Sequence, residues 1–189
     1  MTIALRQPMT AAEFLAWENG QDGRYEFDGL QPVGMTGGTY EHDAIQVNLV
    51  RALGNRLAGT PCRVHGNSLK VSVMGSIRYP DAFVTCGPIP RGSVVLTDPV
   101  VVFEVLSKGT AYTDRLVKNR EYAGTASVRR YVMLEQSAVG ATMFERVGGD
   151  WVGRILGHDA VLHTPEIGVD LPLVDLYEGV DLSAPPLDD

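Results

Sequence analysis

The sequence predicts an α/β fold, more closely an α+β domain in which helices flank a mixed sheet. Segments with apolar residues at helical spacing alternate with short runs rich in Val, Ile, Tyr and Phe. Gly and Pro residues separate these runs. A chain of 189 residues, 44% of them apolar, can bury one sizeable core. We therefore expect a single domain over residues 1–182, with helices packed against one mixed sheet.

The first half of the chain predicts two helices with a hairpin between them. Thr10 suits the N-cap of a helix, because Glu13 follows three residues later, and this helix should end near Gly20. The stretch "RYEFDGLQPVG" predicts two short strands joined at "DG". Apolar residues then recur at helical spacing over residues 40–57, which predicts the strongest helix of this half.

The second half predicts strands interrupted by one helix. Three consecutive strands should form the middle of the sheet, and they correspond to "CRVHGNSLKVSVMG", "YPDAFVTC" and "PVVVFEVLS". The stretch "TAYTDRLVKNREYAG" predicts a helix that Gly124 terminates. Further strands should follow, with a hairpin turn at "GGD", and residues 183–189 should form a flexible tail.

Composition limits both partners and location. The net charge is −7, so the chain as a whole repels nucleic-acid phosphates unless its basic residues share one face, which counts against a general DNA-coating protein. Cys62 and Cys86 lie in apolar strand-like segments, which favours two buried thiols in a reducing compartment over a disulfide. The N-terminus lacks the pattern of an export signal, and no apolar run is long enough to span a membrane. We expect a cytoplasmic protein without membrane contact.

Two acidic residues interrupt apolar runs that otherwise resemble buried strands. Asp81 lies in "IRYPDAFVTC" and Glu104 in "VVVFEVLSKGT". A buried carboxylate loses several kcal/mol on desolvation unless a cation or hydrogen-bond donors compensate it. A divalent metal such as Mg²⁺ or Mn²⁺ is one such partner. Alternatively, Asp81 simply follows Pro80 at a strand start, and Glu104 faces solvent from an edge strand.

Four segments in order resemble one known family. They are "RYEFDGL", "EHDAIQVNLVRAL", "YPDAFV" with "FEVLS", and "DRLVKNREYAG" before "VRRYVMLE". Together they resemble the Uma-type restriction-endonuclease family of the PD-(D/E)XK nuclease superfamily. The resemblance implies a restriction-endonuclease-like core with additional strands, a DNA substrate, and Asp81 and Glu104 as the motif acids that hold Mg²⁺ or Mn²⁺. It makes Glu26 an early site glutamate, although a solvent-facing strand acid is the alternative. His42 occupies a position where the family often has histidine, although a surface residue at the helix terminus is the simpler interpretation.

The lysine of that motif is missing, because Leu106 occupies its place two residues after Glu104. The chain has only three lysines, at positions 70, 108 and 118. The resemblance assigns the role to Lys118 on the following helix, where Asp114 and Tyr122 share its face at four-residue spacing. The alternative is an ordinary surface pair between Asp114 and Lys118.

These observations predict a metal-dependent endonuclease that hydrolyses DNA phosphodiester bonds. The expected catalytic residues are Asp81, Glu104, Lys118 and Glu26, and the first two should bind the metal. A basic patch for DNA could come from Arg115, Arg120, Arg129 and Arg130, which are near Lys118 in sequence. The alternative is an inactive nuclease fold that serves as a binding or interaction protein. The missing motif lysine and the acidic charge favour that alternative. In either case we expect a homo-oligomer, with a dimer as the first expectation.

Overall fold

The computed structural model describes residues 8–107 and 109–183. Its helices are α1 (Ala11–Glu18), α2 (Tyr40–Leu57), a π-helical segment (Thr113–Lys118) that continues directly into α3 (Asn119–Gly124), and a 3₁₀-helix (Leu173–Tyr177). We call residues 113–124 the site helix. The strands of the first half are β1 (Tyr25–Phe27), β2 (Pro32–Gly34), β3 (Cys62–Gly66), β4 (Lys70–Val73), β5 (Ser76–Arg78), β6 (Ala82–Cys86) and β7 (Val95–Leu96). Those of the second half are β8 (Val101–Val105), β9 (Arg130–Leu134), β10 (Ala141–Val147), β11 (Asp150–Leu156), β12 (Val161–Thr164) and β13 (Val169–Pro172). Most of the predicted tail, residues 184–189, lies outside the described part of the chain.

The helix starts predicted from the first half are confirmed. Thr10 and Glu13 form a reciprocal capping box, in which each side chain accepts a hydrogen bond from the other's backbone N–H. Thr39 caps α2 through its side chain, which accepts from the N–H of His42. Ile45, Leu49 and Leu53 are fully buried along the inner face of α2, as the helical spacing predicted.

The main sheet has six strands in the order β11-β10-β9-β8-β6-β3. β8 lies between β6 and β9, and each of its five residues is buried, as expected for a central strand. It runs antiparallel to β6 and parallel to β9, and the site helix provides the crossover between the two parallel strands. The prediction of three consecutive strands in the middle of the sheet is wrong in part. The stretch 62–73 forms two strands, of which β3 is at the edge of this sheet and β4 belongs to another.

A second sheet of five strands, in the order β2-β1-β5-β4-β7, carries residues that reach the site. Phe27 and Ile77 pack with Phe14 of α1 in a small apolar cluster that anchors this sheet to the first helix. The sequence did not predict a separate second sheet, because β1, β2 and β5 have only three residues each. Such short runs give little periodic signal.

The alternation of side chains along β8 separates two cores. Val101, Phe103 and Val105 point into the core that contains the inner face of α2. Val102 belongs to the opposite core, which Tyr122 of the site helix joins. Because Glu104 lies two residues after Val102 on the strand, its side chain is on the same face as the site helix.

The prediction of free cysteines is wrong, because Cys62 and Cys86 form a disulfide. The two residues lie directly opposite each other on the antiparallel strands β3 and β6. Opposite residues of such a pair have neighbouring side chains, and this register was not visible from a sequence separation of 24. The prediction of a reducing compartment rested on two free thiols, so it no longer has support. Within residues 8–107 and 109–183, no helix combines the length and the apolar character needed to cross a membrane.

Candidate active site

Asp81 and Glu104 lie side by side on neighbouring strands. Asp81 immediately precedes β6, and the pairing of Ala82 with Phe103, continued by one residue, places Asp81 opposite Glu104. Opposite residues in an antiparallel pair direct their side chains to the same face of the sheet. The N–H of Val105 donates to Asp81 Oδ2 at 2.7 Å, which fixes the aspartate beside the glutamate strand. The structure therefore brings the two acids together and buries both of them.

Lys118 extends from the site helix into a group of carboxylates. Its Nζ lies 2.9 Å from Glu104 Oε1, 3.1 Å from Asp114 Oδ1 and 3.3 Å from Glu26 Oε1. Only 6% of the residue is exposed, so the alternative of a solvated surface pair with Asp114 does not describe this contact. Leu106, at the usual motif position, is buried in the apolar core instead. The cation beside Glu104 therefore comes from the helix.

Burial and charge set the protonation of this pair. Burial raises the pKa of Glu104 well above its ordinary value, the Lys118 ammonium opposes that rise, and the carboxylates of Asp114 and Asp81 add to it. For Lys118, burial by itself lowers the pKa, but the carboxylates of Glu104 and Glu26 outweigh it and hold the pKa well above its ordinary value. Lys118 therefore keeps its proton more firmly than an exposed lysine does, and Glu104 binds a proton more readily than an exposed glutamate does.

Glu26 is buried and points into the site, so the alternative of a solvent-facing strand acid is wrong. Its Oε1 accepts the N–H of Tyr79 at 3.1 Å and lies near Lys118, while its Oε2 accepts from Arg78 Nη1 at 3.1 Å. Arg78 also donates two hydrogen bonds to Glu121 on the site helix. Neither Arg78 nor Glu121 was predicted from the sequence. Glu121 follows Lys118 by three residues, so helical spacing could have indicated it.

His42, in the first turn of α2, contacts the motif aspartate. Its Nε2 lies 3.2 Å from Asp81 Oδ2, and its side chain is 16% exposed. Burial by itself lowers the pKa of His42, but the hydrogen bond and charge of Asp81 outweigh it, so the pKa is raised. The simpler interpretation of His42 as a surface residue is therefore wrong, because the side chain packs against the site.

The remaining basic candidates lie elsewhere or are already paired. Lys70 is buried against Glu18, at 2.6 Å, and Lys108 lies outside the described residues. Arg130 is 5% exposed and contacts both Glu145 and Glu166. It therefore cannot belong to a surface patch for DNA. Of the other three arginines proposed for that patch, Arg115 is paired with Glu135, and the remaining two, Arg120 and Arg129, are exposed.

The composition of the site fits a hard divalent cation. Among the described residues, the buried cluster contains five carboxyl groups but only two permanent cations. The acids are Glu26, Asp81, Glu104, Asp114 and Glu121, and the cations are Arg78 and Lys118. Within this part of the chain, Asp81 is contacted through Oδ2 and Glu104 through Oε1, so Oδ1 and Oε2 are the donors open to a metal. Within residues 8–107 and 109–183, no group of three or more His, Cys, Asp or Glu residues is arranged to hold a metal ion.

The fold and the site together define a restriction-endonuclease-like protein, with acids on neighbouring strands and a lysine on the crossover helix. The family model Uma2, described as "Putative restriction endonuclease", matches residues 11–173, and the chain belongs to this family. The family resemblance of the sequence is therefore confirmed. A leucine at the usual lysine position does not remove the chain from it.

Similar proteins span nearly the whole chain. The uncharacterized protein slr1290 of Synechocystis sp. is 32% identical over 178 residues, which cover 91% of this chain and 93% of the relative. A second Synechocystis protein, the uncharacterized sll1609, is 23% identical over 167 residues, or 85% of this chain and 94% of its own. A crystal structure described as "a putative nuclease belonging to DUF820", from Anabaena variabilis, has a TM-score of 0.72 and 16% identity. That match covers 90% of this chain and 98% of the other, and it shows a shared fold.

Proposed function

We propose that this protein is a metal-dependent endonuclease that hydrolyses phosphodiester bonds in DNA. The observation that carries the proposal is the buried contact of 2.9 Å between Lys118 Nζ and Glu104 Oε1, with Asp81 opposite Glu104. Two neighbouring acids and one lysine are the groups that such a hydrolysis needs to hold a cation and to stabilise charge. The family description, "Putative restriction endonuclease", supports DNA that is cut at internal phosphodiester bonds as the substrate class.

Asp81 and Glu104 are the residues that would hold Mg²⁺ or Mn²⁺. When bound, the cation supplies acidified water and neutralises negative charge on the phosphate oxygens. Lys118 keeps its positive charge because its pKa is raised, so it can stabilise the charge that develops on phosphate in the transition state. In the reaction, the water oxygen forms a bond to phosphorus while the bond to the leaving sugar oxygen breaks with its electron pair. The water loses one proton, and the leaving oxygen gains one.

The test is a cleavage assay on plasmid, linear duplex and single-stranded DNA, and on RNA of the same sequence, with Mg²⁺ or Mn²⁺. Asp81→Ala provides the control, because it removes one metal donor. We expect cleavage of at least one DNA substrate by the wild type and none by the variant. Equal cleavage by both proteins would identify a contaminating nuclease, and cleavage of RNA alone would change the substrate class. If no substrate is cut, the proposed activity is wrong.

The second candidate is a binding or interaction protein of nuclease fold that does not cleave. The pairing of Arg115 with Glu135 and of Arg130 with Glu145 and Glu166 favours it, because paired arginines attract phosphate less. On this hypothesis the protein forms a homo-oligomer, with a dimer as the first expectation. Light scattering would measure the oligomeric state, and the candidate requires an oligomer together with no cleavage in the assay above.

A further inference from the structure

Arg78 is the most deeply buried cation of the site, and no motif includes it. It ends β5 of the second sheet, and only 2% of it is exposed. Its Nε and Nη2 donate to the two oxygens of Glu121 at 2.8 and 2.6 Å, and its Nη1 donates to Glu26 Oε2 at 3.1 Å. One guanidinium therefore ties a strand of the second sheet to the site helix.

Glu26 contacts both Arg78 and Lys118 and so links the two side chains. Its Oε2 is held by Arg78, and its Oε1 lies 3.3 Å from Lys118 Nζ. Glu121, the other partner of Arg78, lies on the site helix three residues after Lys118 and also accepts from Ser76 Oγ at 2.8 Å. Arg78 therefore constrains Lys118 in two ways, through the carboxylate beside the ammonium and through the helix that carries the lysine.

We propose that Arg78 is a positioning residue that holds Lys118 against Glu104. The proposal rests on the proposed function, because it gives Arg78 a part in the same hydrolysis without contact with substrate. On this proposal, Glu26 holds Lys118 in place and does not bind the metal. The planar guanidinium fork of arginine suits this role, because its fixed donors can hydrogen-bond to two carboxylates at once. The single ammonium of a lysine at this position would not do so.

Chemical labelling of lysine tests the proposal without relying on cleavage. The chain has three lysines, so the extent of acylation at each can be followed by mass spectrometry of peptides. Arg78→Met removes the guanidinium and leaves the lysine count unchanged. Arg130→Met is the matched control, because Arg130 is 5% exposed and also holds two carboxylates, but it does so away from Lys118. Lys70 lies close to the Tyr79 ring, beside Arg78, so its labelling shows whether an opening extends beyond the site helix.

All labelling is done at a temperature where circular dichroism shows each protein folded. We expect Lys118 to be acylated at least about tenfold faster in Arg78→Met than in the wild type, because local opening of the site exposes it. Arg130→Met should leave Lys118 within about twofold of the wild type, since a distant change does not open this region. If Arg78→Met does not fold, Arg78→Gln with Arg130→Gln as its control replaces it, because glutamine keeps hydrogen-bond donors for the carboxylates, removes the fork and adds no lysine.

Cleavage kinetics provide the second measurement. Misplacement of Lys118 should lower kcat by about 10²-fold. KM should stay within about twofold, since Arg78 does not touch substrate. Lys118 labelling that is unchanged by loss of Arg78, or raised equally by Arg130→Met, would overturn the proposal. A wild type that cuts no substrate would defeat the proposed endonuclease, while the labelling would still decide whether Arg78 positions Lys118.

Discussion

Lys118 Nζ lies 2.9 Å from Glu104 Oε1, and both side chains are buried. An exposed pair of this kind contributes little to stability, because water and salt screen it. Here each charge has lost its solvation, so removal of one partner leaves the other uncompensated in the interior. Each residue therefore stabilises the charged form of the other. Replacement of Lys118 should affect cleavage, whereas replacement of Glu104 should affect metal binding.

Lys118→Met should strongly slow cleavage while the fold and metal binding survive. Methionine keeps most of the apolar stem and deletes the charge, and loss of one group that stabilises transition-state charge typically costs about 10²–10³ in kcat. Rates on the best DNA substrate provide the measurement. The matched control is Lys70→Met, which removes another buried lysine that is paired with Glu18. Cleavage by Lys118→Met within about twofold of the wild type would move the catalytic cation to another residue.

Asp81→Asn and Glu104→Gln should each weaken Mn²⁺ binding. Loss of a residue that merely orients a metal ligand often costs about 10- to 100-fold in affinity, so loss of a ligand should cost at least as much. Isothermal titration calorimetry measures the affinity directly. Asp170→Asn is the control, because this exposed acid pairs with His163 at the surface. Equal affinity in the wild type and both site variants would remove the metal from the proposal.

The same site should make thermal stability depend on metal. A ligand that binds only the folded state stabilises it by about 2.7 kcal/mol at one hundred times its Kd. We expect Mn²⁺ to raise the Tm of the wild type and to leave that of Asp81→Asn nearly unchanged. Differential scanning fluorimetry provides the measurement. A flat wild-type Tm at saturating metal contradicts the expectation, because five carboxyl groups and two permanent cations should favour a bound cation.

The sequence predicted the positions of the two acids better than the groups around them. Asp81 and Glu104 were recognisable because each interrupts an apolar run, and a buried carboxylate needs a partner. Lys118 could be identified only through the family resemblance, since no local rule relates a strand acid to a lysine 14 residues later. Arg78 gave no signal, because a single arginine in a three-residue strand is normally exposed. Its burial depends on Glu26 and Glu121, which come from distant parts of the chain.

Glu104 should make the stability of the metal-free protein fall as the pH rises above 4.5. Its folded pKa lies above the ordinary value of 4.5, so the folded state binds the proton more tightly than the unfolded state. This contribution is fully present below pH 4.5 and is lost as the pH rises through the folded pKa. Glutamine does not titrate, so Glu104→Gln lacks this pH dependence. The unfolding free energy of the variant, relative to that of the wild type, should therefore increase as the pH rises through that window. Urea denaturation with a chelator at a series of pH values measures the difference, and a constant difference would contradict the prediction.

His42 should contribute stability with the same sign at a higher pH. Its folded pKa is raised above 6.5 by Asp81, so the contribution is present below pH 6.5 and is lost as the pH rises through the folded value. We expect His42→Ala to cost about 1 kcal/mol at mildly acidic pH and less at alkaline pH. Urea denaturation gives these values, with His163→Ala at an exposed pair as the control. A cost that grows with pH would show that the Asp81 contact does not set the pKa of His42.

Removal of the disulfide should lower stability without affecting the site. Cys86 ends β6, whereas Asp81 immediately precedes this strand, so five residues of extended strand, about 16 Å, separate the bridge from the proposed metal ligand. Cross-linking residues 24 apart typically contributes about 2–4 kcal/mol by restricting the unfolded chain. We expect the double variant Cys62→Ser with Cys86→Ser to unfold at lower urea concentration and to keep its Mn²⁺ affinity. Reductant should destabilise the wild type and leave the double variant unchanged, whereas equal responses of the two proteins would show that no bridge forms.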